Sequence, residues 1–233
     1  MSSNILKKIF RKIKRISDKL TFSYRQSKDF DKDFPELYPL ALSNNEIGFI
    51  LKNCKDANSY LEFGAGGSTF LSLLNLNNLN KIVSVESDPN WIAFLKKWKI
   101  IKNACDSNKL CFHYADIGKT GAWGVPVGGD AEKKYPGYSS SVFEHEFVEN
   151  NDFDVVFIDG RFRVACLLQT ILNVPAGTKI FIHDFCTRTK YHIVLKYLDV
   201  VEPIDNLCLF KIKDNLDKNE VISEYEKYKC IYD

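Results

Sequence analysis

Apolar positions in residues 4–20 (Ile5, Leu6, Ile9, Phe10, Ile13, Ile16 and Leu20) recur at three-and-four spacing, while basic side chains fill the other face. That period predicts an amphipathic helix. It is lost between 21 and 44, where Pro35 and Pro39 mark an arm, and it returns as a helix over 44–54. Beyond this the period alternates. Short apolar runs of strand length at 60–63, 81–86, 110–115, 154–159 and 178–184 are followed by helical patterns from 67, over 89–99, over 161–172 and over 188–198. Strands alternating with amphipathic helices predict βαβ units around a parallel sheet covered on both faces. Two last runs, 199–202 and 207–212, flank Pro203 and Asp205-Asn206 and predict an edge hairpin. The expectation is an α/β, Rossmann-like, doubly wound and mostly parallel seven-stranded sheet with a reversed edge strand, preceded by an N-terminal amphipathic helix.

The chain then divides into a basic helix (1–20), an arm with its helix (21–54), one catalytic-size domain (55–215) and a C-terminal tail or helix (216–233). The 233 residues suffice for one core. Residues 116–141, rich in Gly, Pro, Tyr and Ser, show no period and are long for a connection, as functional lids tend to be.

Charge is nearly balanced, 32 Lys and Arg against 30 Asp and Glu, which argues against nucleic acid as a partner. The distribution is uneven: residues 1–20 hold seven basic side chains and one acid. Such a helix either lies on an anionic membrane, gaining about 1 kcal/mol per basic residue near the lipid, or packs its apolar stripe on the domain or a partner. Seven cysteines without a C-x-x-C pair fit idle thiols in a reducing compartment. No run reaches membrane-spanning length, and the basic N-terminus lacks the apolar core of a secretory signal. The expected location is cytoplasmic, with peripheral membrane contact through 4–20 left open; the oligomeric state is not legible.

The strongest chemical signal is Glu62-Phe63-Gly64-Ala65-Gly66-Gly67-Ser68-Thr69, directly after the first strand. Glycines there allow a sharp turn and close approach of a ligand, and the next helix presents its N-terminus. In an open parallel sheet this is the ligand crevice. The dinucleotide fingerprint G-x-G-x-x-G counted from Gly64 would require glycine at Thr69. At the next strand end, Glu86 lies 22 residues after Gly64, followed by Ser87. It is placed to accept hydrogen bonds from both ribose hydroxyls of an adenosine ligand, whereas Asp88, before Pro89, reads as a helix cap.

Glu62 two residues before the first glycine, the ribose acid Glu86 and Asp116 after the third strand together resemble class I S-adenosylmethionine-dependent methyltransferases over about 55–212. The resemblance implies S-adenosyl-L-methionine as cofactor. The loop residues Gly64, Ala65, Gly66, Ser68 and Thr69, with Ser87, would line its site; Glu62 would contact its amino-acid end, directly or through water, and Asp116 its adenine amino group. The motifs GAGGST, VESDPNW, DGRFRVAC and IHDF further resemble bacterial methyltransferase-like proteins of surface-polysaccharide gene sets, which implies a glycan acceptor.

The acceptor side falls to the fourth and fifth strand ends, Phe157-Ile158-Asp159-Gly160-Arg161-Phe162-Arg163 and Ile182-His183-Asp184. Adjacent strands would set Asp159 beside His183 and Asp184, with Asp159 also near the cofactor. In catechol-type O-methyltransferases similar strand ends hold a divalent metal; here His183-Asp184 replaces their Asp-Asn pair and Phe162 stands where they have lysine. Two versions stay open: magnesium at Asp159 and Asp184, or metal-free chemistry with His183 as general base. Arg161 and Arg163, cations in a first helical turn, are candidate clamps for an anionic saccharide, sugar-phosphate or other small acceptor, and Trp123 suits stacking on a sugar. The rival readings are a noncatalytic binding module of the same fold and a methyltransferase for another small molecule.

Overall fold

The computed structural model describes residues 29–128, 131–148 and 151–232. The basic helix expected over 4–20 lies outside the described residues. In chain order the elements are α1 (Asn44–Cys54), β1 (Ser59–Phe63), α2 (Gly67–Asn75), β2 (Lys81–Glu86), α3 (Pro89–Leu95), α4 (Lys99–Asp106), β3 (Leu110–Tyr114), α5 (Tyr135–Ser140), β4 (Val155–Ile158), α6 (Arg163–Asn173), β5 (Lys179–Ile182), β6 (Leu198–Ile204), β7 (Leu207–Ile212) and α7 (Lys218–Tyr228). The seven strands run β3-β2-β1-β4-β5-β7-β6, all parallel except β7, which pairs antiparallel with both β5 and β6.

Side chains alternate strictly between the two faces. Leu61, Phe63, Val83, Val85, Val156, Ile158, Ile180 and Ile182 enter one core, and Tyr60, Ile82, Val155, Phe157 and Phe181 the other. Both cores are needed because helices cover both faces, which is why the strands read as continuous apolar runs. Two polar members, Glu62 and Ser84, stand opposite each other in register on the second face. The chain reverses its winding between β1 and β4, so a crevice opens at the carboxyl ends of these strands.

Three elements differ from the periodicity. The helix expected over 89–99 ends at Leu95 and a second begins at Lys99. Between them Trp98 is extended, buried completely and wedged edge-on against Phe30 and Phe70; its burial breaks the helix. Residues Thr189–Lys196 form tight three-residue turns instead of an α-helix. The long segment after β3 contains α5, whose Tyr135 and Tyr138 pack on Phe162. No helix among the described residues is long and apolar enough to cross a membrane.

Candidate functional site

β1 ends in Phe63, and Gly64 turns at φ 97°, a left-handed conformation that favours glycine. A Cβ on Gly64 would stand 2.7 Å from the Gly160 backbone, so the loops after β1 and β4 meet main chain to main chain. The amides of Asp159 and Gly160 both donate to the Phe63 carbonyl, at 3.0 and 2.7 Å. This contact fixes Asp159 beside the glycine loop.

A cavity of about 620 Å³ opens at this point. Its floor is Gly64 through Ser68; one wall is Glu86, Ser87, Asp88 and Trp91, and the other is Asp159, Gly160, Arg161 and Tyr138. Pro39 through Leu42 and the tip Gly121 through Gly124 complete it. The expected Gly64, Ala65, Gly66, Ser68, Glu86, Ser87, Asp159, Arg161 and Trp123 are thus brought together.

Glu86 is almost buried, and its carboxylate accepts from the amides of Ser87 (2.6 Å), Asp88 (2.9 Å) and Ala65 (3.3 Å). Burial raises its pKa and these three amides oppose the rise. The carboxylate is therefore a fixed acceptor array at the cavity wall. The Trp91 indole N–H donates to the Ala65 carbonyl at 2.8 Å and pins the glycine loop from above. Sequence reasoning gave Trp91 no role, although its place one turn into the helix after Glu86 was a usable signal. Pro39 through Leu42 carried no such signal.

The tip that carries Trp123 is a small hairpin: the Gly121 amide donates to Val125 O at 2.7 Å and the Val127 amide to Lys119 O at 2.8 Å. Trp123 sits at φ 62° and is 79% exposed. A large side chain in left-handed backbone and in water is a costly combination.

Six expected site residues, Glu62, Thr69, Asp116, Arg163, His183 and Asp184, lie outside the cavity lining. Glu62 does not reach the cavity: it is fully buried under the glycine loop, where its carboxylate accepts from Ser68 Oγ (2.5 Å), Ser84 Oγ (2.6 Å) and Thr69 Oγ1. Thr69 is buried with it. Burial pushes the Glu62 carboxyl up to about 7 against the pull of these hydroxyls. Asp116 also misses the cavity lining, because it is exposed and paired with Lys134 at 2.6 Å while accepting the Gly118 amide. Arg163 is no acceptor clamp. It is 4% exposed and turned inward, with its guanidinium on the carbonyls of Gly160 (3.0 Å), Asp159 (2.8 Å) and His183, and on the carboxylates of Asp159 (2.9 Å) and Asp184 (3.2 Å).

His183 is turned away as well. Its Nδ1 meets Asp159 Oδ1 at 3.0 Å and its Nε2 faces Glu46 Oε1 at 3.5 Å, so neither ring nitrogen is turned to the cavity, whose lining omits His183 and Asp184. Burial disfavours its charged form, but the Asp159 hydrogen bond and the charges of Asp159, Asp184 and Glu46 outweigh burial and raise the pKa. With its two nitrogens facing Asp159 and Glu46, the ring turns neither toward an acceptor hydroxyl in the cavity.

Asp159, His183 and Asp184 do present ligand atoms within 4.8 Å of one another. The set does not fit magnesium. Arg163 already lies on both carboxylates, Arg188 adds a second guanidinium on Asp184 at 2.7 Å, and an imidazole is a poor ligand for a hard cation. The two carboxylates expected to hold magnesium, Asp159 and Asp184, are brought together, and guanidinium groups supply positive charge there.

The sheet order, the glycine loop at the switch point and the cavity define a Rossmann-like methyltransferase fold. Among solved structures, a methyltransferase-like protein from Silicibacter pomeroyi superposes with a TM-score of 0.72 at 27% identity, over 83% of this chain and 97% of that one. A methyltransferase from Podospora anserina bound to S-adenosylhomocysteine superposes with a TM-score of 0.50 at 17% identity, over 72% and 78%. No known protein-family profile matches the chain. No curated protein matches its sequence.

Proposed function

We propose that this protein is an S-adenosylmethionine-dependent methyltransferase acting on a hydroxyl of an anionic saccharide or sugar-phosphate. The observation that carries the reading is Glu86: a carboxylate held by three amides at the end of β2, one of them from the glycine loop, at the wall of a 620 Å³ cavity. Glu86 would accept from the ribose hydroxyls, and the start of α2 with the Gly64–Ser68 backbone would hold the amino-acid end. The cofactor supplies an electrophilic methyl group on sulfonium sulfur.

The remaining work falls to this chain's residues. Asp159, at the cavity wall and 31% exposed, takes the proton of the acceptor hydroxyl. Both of its ion pairs fall on Oδ1, so Oδ2 is the oxygen available for that proton. Arg161 holds an anionic group, and Trp123 offers a flat face to a sugar ring. Orientation in a shared cavity supplies much of the acceleration. The Silicibacter likeness and the S-adenosylhomocysteine in the Podospora structure support the cofactor.

Calorimetric titration with S-adenosylhomocysteine tests the reading. The wild-type protein is expected to bind, and Glu86→Ala to bind about 10- to 100-fold more weakly, as loss of charge-assisted hydrogen bonds predicts. Absence of wild-type binding sinks the reading; binding with no transfer to any hydroxyl acceptor moves the chain to the noncatalytic module.

A further inference from the structure

Glu46 and His183 lie outside the cavity lining, yet together they connect two of its walls. Glu46 is the third residue of α1 and is 3% exposed. One of its carboxylate oxygens accepts the Ser43 amide at 2.8 Å, closing a reciprocal cap with the Ser43 hydroxyl; the other accepts the Asn206 amide at 3.0 Å and faces His183 Nε2 at 3.5 Å. From His183 the chain of contacts continues through Nδ1 to Asp159. Three carboxylates (Glu46, Asp159, Asp184) converge on the His183 ring and the guanidinium groups of Arg163 and Arg188.

What Glu46 anchors is the segment just before it. Pro39 through Leu42 lie across the start of α2, where a side chain on Gly67 would overlap Pro39 O and Leu40 Cα. Tyr38 stacks on Phe70 at 5.2 Å. Among the described residues no backbone hydrogen bond ties 38–42 to the sheet. Beyond that packing it is held at its ends, by Leu37, whose amide donates to Asp29, and by Ser43, which pairs with Glu46 and whose hydroxyl donates to Asp205 at 2.6 Å. A segment held this way opens at low cost unless its anchors are firm.

We propose that Glu46 and His183 are positioning residues, forming a Glu46–His183–Asp159 chain that locks the Pro39–Leu42 wall of the cofactor cavity to the carboxylate that receives the acceptor proton. Closure of that wall and placement of Asp159 are then one event, and a loaded cofactor is held while Asp159 is in position. The functional meaning rests on the methyltransferase reading; the mechanical link does not.

Two conservative variants separate the ends of the chain. In His183→Asn the side-chain amide can replace Nδ1 toward Asp159 but falls short of Glu46; in His183→Gln it reaches toward Glu46 and misplaces the Asp159 donor. Stopped-flow release of S-adenosylhomocysteine, followed by tryptophan fluorescence through Trp91, is expected to quicken about 10-fold in His183→Asn and in Glu46→Gln. Release should quicken in His183→Gln as well, since the Asp159 end of the chain is then cut. The double variant Glu46→Gln/His183→Asn should be no faster than either single one, since each already cuts the link. Thermal midpoints serve as the control for general destabilisation, and glutamine remains a competent third-position capping residue. Wild-type release rates in both Glu46→Gln and His183→Asn, or multiplicative effects in the double variant, overturn the proposal. Hydrogen exchange of the Ser43 and Asn206 amides, both held by Glu46, decides the link in the ligand-free protein without any cofactor: faster exchange in His183→Asn supports it and unchanged exchange overturns it. A wild-type protein that binds no S-adenosylhomocysteine would therefore defeat the methyltransferase reading while the exchange comparison still judged the chain.

Discussion

At the scale of single residues, two side chains that the sequence offers as ligand contacts have become internal fasteners. Glu62 has the spacing of a cofactor acid, but it points down from β1 into three hydroxyls and supports the glycine loop from beneath. Its burial has a thermodynamic signature. The ordinary value is 4.5 and the folded value about 7, so between these the native state keeps a proton that the unfolded chain releases. The associated stability is complete below about pH 4.5 and is lost as pH rises through 7. About 2.5 units corresponds to about 3 kcal/mol. Glu62→Gln does not titrate, so urea unfolding at pH 4.5 and pH 8 should show the variant gaining up to about 3 kcal/mol on the wild type over that interval. A constant difference would mean that Glu62 titrates as an ordinary carboxyl. Arg163 was illegible for a related reason. The sequence places it in a first helical turn, an unfavourable position for a cation, and only the fold reveals that Asp159 and Asp184 converge on it from two strand ends.

At the scale of elements, the strands and most helices follow from period alone, and the exceptions have local causes. Periodicity could not see that Trp98 would be buried between two helices, because a tryptophan continues a helical stripe as readily as it interrupts one. The 116–141 stretch hid short helical turns because Gly and Pro erase any period over so few residues. Its lid character was legible, and the hairpin bearing Trp123 at the cavity tip agrees with it. Stability decides whether this tryptophan is a packing anchor or an exposed face kept for a ligand. Removing a buried anchor costs about 3–5 kcal/mol. Removing an exposed side chain from left-handed backbone relieves about 1–2 kcal/mol of strain, offset in part by the flexibility glycine adds to the unfolded chain. Trp123→Gly is accordingly expected to leave the denaturation midpoint unchanged or slightly raised; a loss of 3 kcal/mol would make Trp123 an anchor.

At the scale of the molecule, the doubly wound, mostly parallel sheet was readable because βαβ units admit few topologies, and the crevice followed from it. The electrostatic balance was not readable, since it joins residues far apart in sequence: Glu46 to His183, and His113 to Ser141. His113, on the edge strand β3, is 8% exposed; its Nε2 lies 2.7 Å from Ser141 Oγ, and its ring meets the His145 ring edge-on at 5.0 Å. Burial first, and His145 second, lower its pKa to about 4. The sign is opposite to that of Glu62. The native state holds His113 neutral while the unfolded chain charges it below 6.5, so its stability is complete above 6.5 and is lost as pH falls through 4. His113 packs on the opposite face of the sheet from Glu62, so the two contributions should add independently. His113→Gln keeps a donor for Ser141 and cannot charge. It should gain about 2–3 kcal/mol on the wild type as pH falls from 7 to 4, over nearly the same interval in which Glu62→Gln gains as pH rises. The double variant should then have a stability profile from pH 4 to 8 close to that of the wild type, in which the two opposed contributions largely cancel, while Glu62→Gln gains stability and His113→Gln loses it as pH rises; single variants with the wild-type profile would show that neither buried group governs the pH response of the fold.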